Sequence, residues 1–466
     1  MKFSFDHFRQ ETPVEKFDVR WAEAYAQIPL LEVVDRLAGD KTYLAEEKRK
    51  FESGEIENPT LTYPYMSAAE LEDTERRLLH LKDDVAHDMT RVTDEPTKAI
   101  AQAYRWRTNE RIAEVRMLKA SAAGDMRRFD RYTRFVHGAP SPELFNYTLE
   151  EIRGTFSPYL ADEREEVRAA TAHFLDTLPK TTEPSTISLP PAELVATVHA
   201  STKEHLGHLI DPSLQEGVQH DATAIARAFT YALAHGGLDG WTVVITPTVT
   251  AINTNQEKHL VEVPAKRRPV STQKLRELIV HEIGTHVARR EAGEHTGMHL
   301  LATGLDRYIV GEEGVATFHE QGIRGSLKEY AGQERYLGIG LALGLDGTPR
   351  TFREVYEILK LYNLAKELRD KEASLEGATK KALSKAWLST LRTFRGTDGK
   401  TPGVAFTKDI AYRDGNIRLW QRIMEHPEEI KRLSSGKYDP SQERHRWILD
   451  NLHILEDEFE KLSSGE

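Results

Sequence analysis

The sequence predicts an α+β protein, mostly helical, with a small sheet and one motif-bearing helix at its centre and helical regions on either side. Three observations carry this. Apolar residues recur at three- and four-residue spacing through both ends of the chain. Two short β-branched stretches near the middle show no helical period. Between these stretches and the C-terminal helices, an apolar helical run ends in His281-Glu282-Ile283-Gly284-Thr285-His286.

From residue 14 to about residue 178 the pattern is almost wholly helical, with segments at 68–89, 96–122 and 149–178. Breakers stand between them: Glu57-Asn58-Pro59, Gly124, and Gly138-Ala139-Pro140-Ser141-Pro142. Pro59, Leu61, Tyr63 and Tyr65 read as an extended segment laid across the core. Residues 179–191 (PKTTEPSTISLPP) are rich in Pro, Ser and Thr and mark the boundary of an N-terminal helical region, 1–180.

The next region, 190–330, holds the chemistry. A helix over 222–235 ends at Gly236-Gly237, and residues 241–247 and 259–263 read as strands. Ser271 caps a helix that runs through Leu278, Ile279 and Val280 into His281. The last region, 331–466, is again mostly helical, interrupted by a Gly-rich stretch at 395–403, and completes the substrate cleft.

Bulk composition narrows the function. The 466 residues are 39% hydrophobic and 29% charged, as in a globular chain. There is no Cys, so a metal site must use His and carboxylates. The first residues have no apolar signal region, and no stretch approaches the roughly 18 consecutive apolar residues of a membrane span. We therefore expect a cytoplasmic protein with no membrane partner. The net charge of -11 argues against nucleic acid as a partner. Lys266-Arg267-Arg268 reads as a solvated loop ahead of the motif helix.

Zinc chemistry needs three N or O ligands and one open position for water. His281 and His286 supply two, and Glu282 can approach that water as general base without occupying the metal. The spacing is one residue longer than the familiar zincin motif. On a regular helix the two His would stand about 140° apart. A wide turn of the i→i+5 kind around 283–285 would realign them, with Gly284 giving the backbone freedom. In Gly311-Glu312-Glu313-Gly314, Glu313 is the candidate third ligand, on a helix that Gly314 lets pack closely against the motif helix. Glu312 is then a supporting carboxylate on the far nitrogen of a ligand His. His295 and His299 have no assigned role, while Tyr308 and His319 are candidates for stabilising an oxyanion.

The motif helix HEIGTH, then GLDRYIVGEEGVATF, then RTFRGTDGK with GVAFTKDIAYRDG together resemble the tyrosine carboxypeptidase-like metallopeptidases. That family includes the microtubule-associated tyrosine carboxypeptidases of animals and bacterial proteins of undetermined role. ENPTLTY and AAGDMRRFDRYTRFVHGAP are similar to its helical part, and the resemblance spans roughly residues 30 to 430. It implies a zinc site of two His and one Glu, here His281, His286 and Glu313, with Glu282 as catalyst. It also implies removal of a C-terminal residue, with Tyr or Phe expected, from a peptide or protein partner. Residues 291–301 (EAGEHTGMHLL) depart from the family in their His content.

A carboxypeptidase must hold a free carboxylate, and Arg suits this because its fork bonds both oxygens. Arg395 and Lys408 are candidates, with Arg392 beside them, and Tyr412 is placed to donate to a developing oxyanion. The alternative is that Arg392, Arg395, Lys408 and Asp409 form structural ion pairs. Two other functions stay open from sequence. One is an endo- or aminopeptidase with the same metal site, and the other is a regulatory protein on an inactive scaffold.

Overall fold

The computed structural model describes residues 15–64, 67–370 and 374–454. The chain is mostly helical with two small sheets, an α+β arrangement. No helix among the described residues is long and apolar enough to cross a membrane.

The N-terminal helices follow the apolar periodicity, with Ala68–Met89 and Glu95–Ala122 packed as a pair. Asp94 caps the second, its carboxylate accepting from Thr97 N at 2.8 Å. The expected helix over 149–178 is broken. Pro142–Phe156 is followed by a 3-10 turn, Ser157–Ala161, and a separate helix, Glu165–Thr177. Pro158 explains the break, because it lacks the N–H that the helix interior needs.

Leu61 is buried, and Tyr63 donates its hydroxyl to Thr397 O at 2.9 Å, so the extended segment lies against the Gly-rich interruption near residue 397. Tyr65 lies outside the described residues. The 179–191 stretch carries no helix or strand, yet it is packed, with Tyr330 donating to Ser188 O at 2.8 Å. The largest apolar cluster draws on all three sequence regions, through Phe51, Leu149, Phe318, Tyr336, Leu359 and Trp420.

Beneath the motif helix sits a three-stranded sheet in the order β2-β4-β3, where β2 is Thr242–Thr246, β3 Asn253–Asn255 and β4 Leu260–Pro264. β2 runs parallel to β4, with Thr242 opposite Leu260. β3 runs antiparallel to β4, with Thr254 opposite Val261. Val261 and Val263 alternate inward, as strand periodicity requires. A two-stranded ladder pairs β1 (Gln219–His220) with β5 (Val270–Ser271) and leads directly into the motif helix.

Candidate metal centre

The motif helix begins at Thr272, capped by the Ser271 side chain, which accepts from Lys274 N at 3.3 Å. After Leu278 the backbone widens into a π-helix over Ile279–Val287 and then returns to α-helix over Ala288–His295. The widening expected around residues 283–285 is therefore nine residues long. Ile279, Val280, Ile283 and Val287 are fully buried against the sheet and the Ala222–Gly236 helix. Burial of each such side chain contributes about 1.5–3 kcal/mol, so this face is fixed. Gly284 is absent from the residues with positive φ, so the wide turn does not depend on glycine's left-handed freedom. Its role is close approach: an added Cβ would stand 3.3 Å from Leu206 and Leu209.

With i→i+5 geometry, His281 and His286 come onto one face, their ring centroids 4.9 Å apart and their planes at 82°. Thr285 Oγ1 donates to Val280 O, five residues back, at 2.8 Å and so serves one of the carbonyls within the widened stretch. Glu313 meets the two rings from the helix Ile309–Arg324. One donor atom each from His281, His286 and Glu313 lies within 4.8 Å of the others.

Each imidazole is oriented by a carboxylate. Glu312 Oε1 stands 2.8 Å from His286 Nδ1, and Glu320 Oε1 stands 2.8 Å from His281 Nδ1. A carboxylate accepts, so His286 Nδ1 carries hydrogen and leaves its Nε2 for a metal, while Glu320 stands against His281 Nδ1 as a charge contact outside hydrogen-bond geometry. His281 Nε2 is 3.9 Å from Glu313 Oε2, which is buried and has no hydrogen-bond partner among the described residues. Burial opposes charge on His281. The Glu320 carboxylate, helped by Glu282 and Glu313, overrides this and raises its pKa to about 9. Burial also opposes ionisation of Glu320, but His281 and Lys274 hold its pKa at about 2.

Glu312 is itself gripped from behind. Lys437 Nζ and Arg289 Nη1 both donate to it, and Arg289 Nη2 donates to Tyr438 O at 2.7 Å. Against the cost of burial, these cations and His286 keep Glu312 well below the usual carboxylate range. Sequence reading reached Glu312 but missed Glu320, Arg289 and Lys437. Glu320 had a signal, because it lies seven residues, two helical turns, after Glu313. Arg289 also had one, three residues beyond His286, whereas Lys437 had none.

Glu282 is buried, and its Oε2 accepts from Thr254 Oγ1 of the edge strand β3 at 2.9 Å. Arg267, expected in a solvated loop, is half-buried, and Glu282 contributes to its electrostatic environment. Gly314 faces a different helix from the one expected. An added Cβ there would meet Gly415 O at 2.6 Å, so the glycine serves the Ala411–Glu425 helix.

Beside the centre lies a cleft of about 710 Å³ whose walls include His281, Glu320, Arg335, Arg392, Asp409 and Tyr412. Burial and the Glu313 charge push the Tyr412 phenol above its ordinary pKa. Arg392 bonds both oxygens of Asp409, at 2.7 and 3.0 Å, so its fork is already filled. Arg395 and Lys408 do not line this cleft. Arg395 lies in the electrostatic range of Arg392 and Asp409, and Lys408 in that of Asp409 and buried His137, so both stand behind the cleft wall. Lys408 and Tyr412 also fall in different elements, the 3-10 turn Thr407–Ile410 and the helix Ala411–Glu425.

The other histidines stand apart from the His281–His286–Glu313 group. His295 Nδ1 contacts Glu291 O at 2.8 Å, and His299 N donates to Asp18 Oδ2 at 2.7 Å. His319 contacts Thr285 Oγ1 at 2.9 Å, and burial lowers its pKa to about 3. Tyr308 is packed near Arg107, whose guanidinium carbon is 5.7 Å from its ring centre. A second trio, His259, Glu291 and Glu294, also clusters within 4.8 Å. Its carboxylates are engaged, Glu291 by Trp241 Nε1 at 2.6 Å and Glu294 by Arg290 at 2.5 Å. No protein-family model, curated protein or solved structure matches the chain.

Proposed function

We propose that the chain is a zinc metallopeptidase with a zincin-like core, removing a C-terminal aromatic residue from a peptide or protein. The observation that carries this reading is the convergence within 4.8 Å of His281 and His286, from a π-helical turn, with Glu313 from the helix Ile309–Arg324. The donor set of two imidazoles and one carboxylate matches catalytic zinc, and the unpartnered, buried Glu313 Oε2 fits a ligand position. His281, His286 and Glu313 would hold the zinc ion, which would supply Lewis acidity toward the scissile carbonyl and the attacking water.

The chain's own residues do the rest. Glu282 takes the proton of the attacking water and passes it to the leaving amine. Thr254 holds the Glu282 carboxylate in place through its hydroxyl. Tyr412, on the cleft wall, donates to the carbonyl oxygen as charge develops on it. The preference for a C-terminal aromatic residue rests on the family resemblance. Digestion of a peptide library by zinc-loaded protein, read by mass spectrometry, tests it. Loss of single C-terminal Tyr or Phe residues is expected. Internal cleavage, or cleavage from the N-terminus, would replace the carboxypeptidase reading with another zinc peptidase.

The carboxylates behind the imidazoles yield a separate prediction. Glu312→Gln and Glu320→Gln should each weaken zinc binding by about 10- to 100-fold, the usual effect of losing such a partner. Competition with a zinc-responsive dye measures this. Affinity within about two-fold of the parent for both variants would deny the two carboxylates a supporting role.

A further inference from the structure

We propose that Arg335 anchors the free C-terminal carboxylate of the peptide, an inference that rests on the peptidase reading of the site. Arg335 lies in the first turn of the helix Gln333–Leu343 and is half-buried in the wall of the cleft that also contains His281 and Tyr412. Its guanidinium carbon stands 3.9 Å from the centre of the Tyr412 ring. Stacking of this kind covers the flat face and leaves the N–H groups at its edge for a planar acceptor.

The placement is held by backbone. Gly332, just before this helix, would with a Cβ stand 2.8 Å from Arg413 N and 2.9 Å from Tyr412 Cβ. The start of the helix is therefore pressed against the segment carrying Tyr412.

Charge pairing sets Arg335 apart. In a chain with 74 acidic and 63 basic residues, acids are in excess. Arg324 pairs with Glu277 at 2.8 Å, Lys385 with Glu367 at 2.5 Å, and Arg392 with Asp409. Arg335 makes no salt bridge within 4 Å among the described residues, and the nearby Asp409 carboxylate, whose charge it helps to hold, is bonded through both oxygens by Arg392. Lys366 on the same cleft is also without a salt bridge among them, but its ammonium sits 5.6 Å over the Tyr362 ring and is a point charge without a fork. An unpaired, half-buried guanidinium stacked on the proposed oxyanion donor is suited to receive both oxygens of a substrate carboxylate.

The test uses the full-length, zinc-loaded Glu282→Gln protein, which should hold substrate without consuming it. Two fluorescent peptides ending in Tyr, one a free acid and one a C-terminal amide, are titrated by anisotropy. The acid should bind about 10- to 100-fold more tightly than the amide, as expected for charge-assisted hydrogen bonds. Adding Arg335→Met should abolish that ratio by weakening acid binding alone, and Arg335→Lys should restore part of it. Adding Lys366→Met should change the ratio by less than about two-fold, because its ammonium sits over the Tyr362 ring and offers no fork to the carboxylate. A purely structural role for Arg335 would weaken both peptides equally.

No acid preference in the Glu282→Gln protein, or a preference that survives Arg335→Met, overturns the proposal. If wild-type protein still cleaves peptides in that case, the hydrolase reading stands without the anchor. If the Arg335-dependent preference holds but wild type cleaves nothing, the anchor stands and the hydrolase reading falls.

Discussion

Glu282→Gln is expected to lower kcat by about 10²- to 10⁴-fold, the contribution of a positioned general base, while the protein retains its zinc. The reasoning is geometric. Glu282 follows the first imidazole directly, so its backbone is fixed by the same buried face that fixes His281. Its carboxylate is drawn toward β3 by Thr254 and is not a member of the three-residue donor group. Gln keeps the shape and can still accept from Thr254, but it cannot take a proton. Zinc content and steady-state turnover, measured on one preparation, separate the two properties. His286→Ala should behave differently and lose zinc together with turnover. Full peptidase activity in Glu282→Gln would remove the general base from the proposed mechanism, and loss of zinc would make Glu282 a ligand instead.

Gly415→Ala is expected to destabilise the fold by at least ~3 kcal/mol, at the upper end for overpacking. Replacing Gly by Ala inside a helix ordinarily stabilises it by about 0.5–1 kcal/mol, so even a small net loss would be diagnostic. Here the new Cβ would stand 2.0 Å from Val310 O and 2.9 Å from Gly314 N. Both contacts are backbone, so no side-chain rotation relieves them. The helices Ile309–Arg324 and Ala411–Glu425 would have to separate, and Glu313 lies beside that crossing. Gly154, with nothing within 4 Å of a built Cβ, is the matched control and should tolerate Ala. Denaturant unfolding of the two variants gives the comparison. Equal stability of Gly415→Ala and the parent would mean that the two helices do not meet through their backbones.

Much of the centre was legible in the sequence because it lies close together in the chain. Two His with a Glu between them, followed by an acidic pair near a helix start, required no tertiary knowledge. The five-residue spacing itself demanded a wide turn, and the π-helix is there, though longer than expected. What stayed hidden depends on contacts made over long separations. Lys437 reaches Glu312 across 125 positions. β3, Asn-Thr-Asn, lacks the apolar character that marked β2 and β4, and only its pairing with β4 makes it a strand. Arg335 sits in a Gln-Glu-Arg sequence that reads as an ordinary solvated helix face. Arg392, Arg395 and Lys408 looked alike as cations near glycines, and only tertiary placement separates the one on the cleft from the two away from it. The break at Pro158 is a different case, since the residue that causes it was in plain view.

The widened stretch also sets the phase of everything after it. One residue more than a regular turn rotates the downstream half of the rod by about 100° relative to an uninterrupted α-helix. That rotation aims Arg289 at Tyr438 and Glu312, and it lays Gly293 against Leu301, where a Cβ would come within 2.2 Å of the carbonyl oxygen. A deletion restoring the common four-residue interval would therefore swing the arginine off its carboxylate and drive side chains into a neighbouring backbone. The two ends of this rod are keyed to different cores, and the insertion is the offset that lets a single helix fit both.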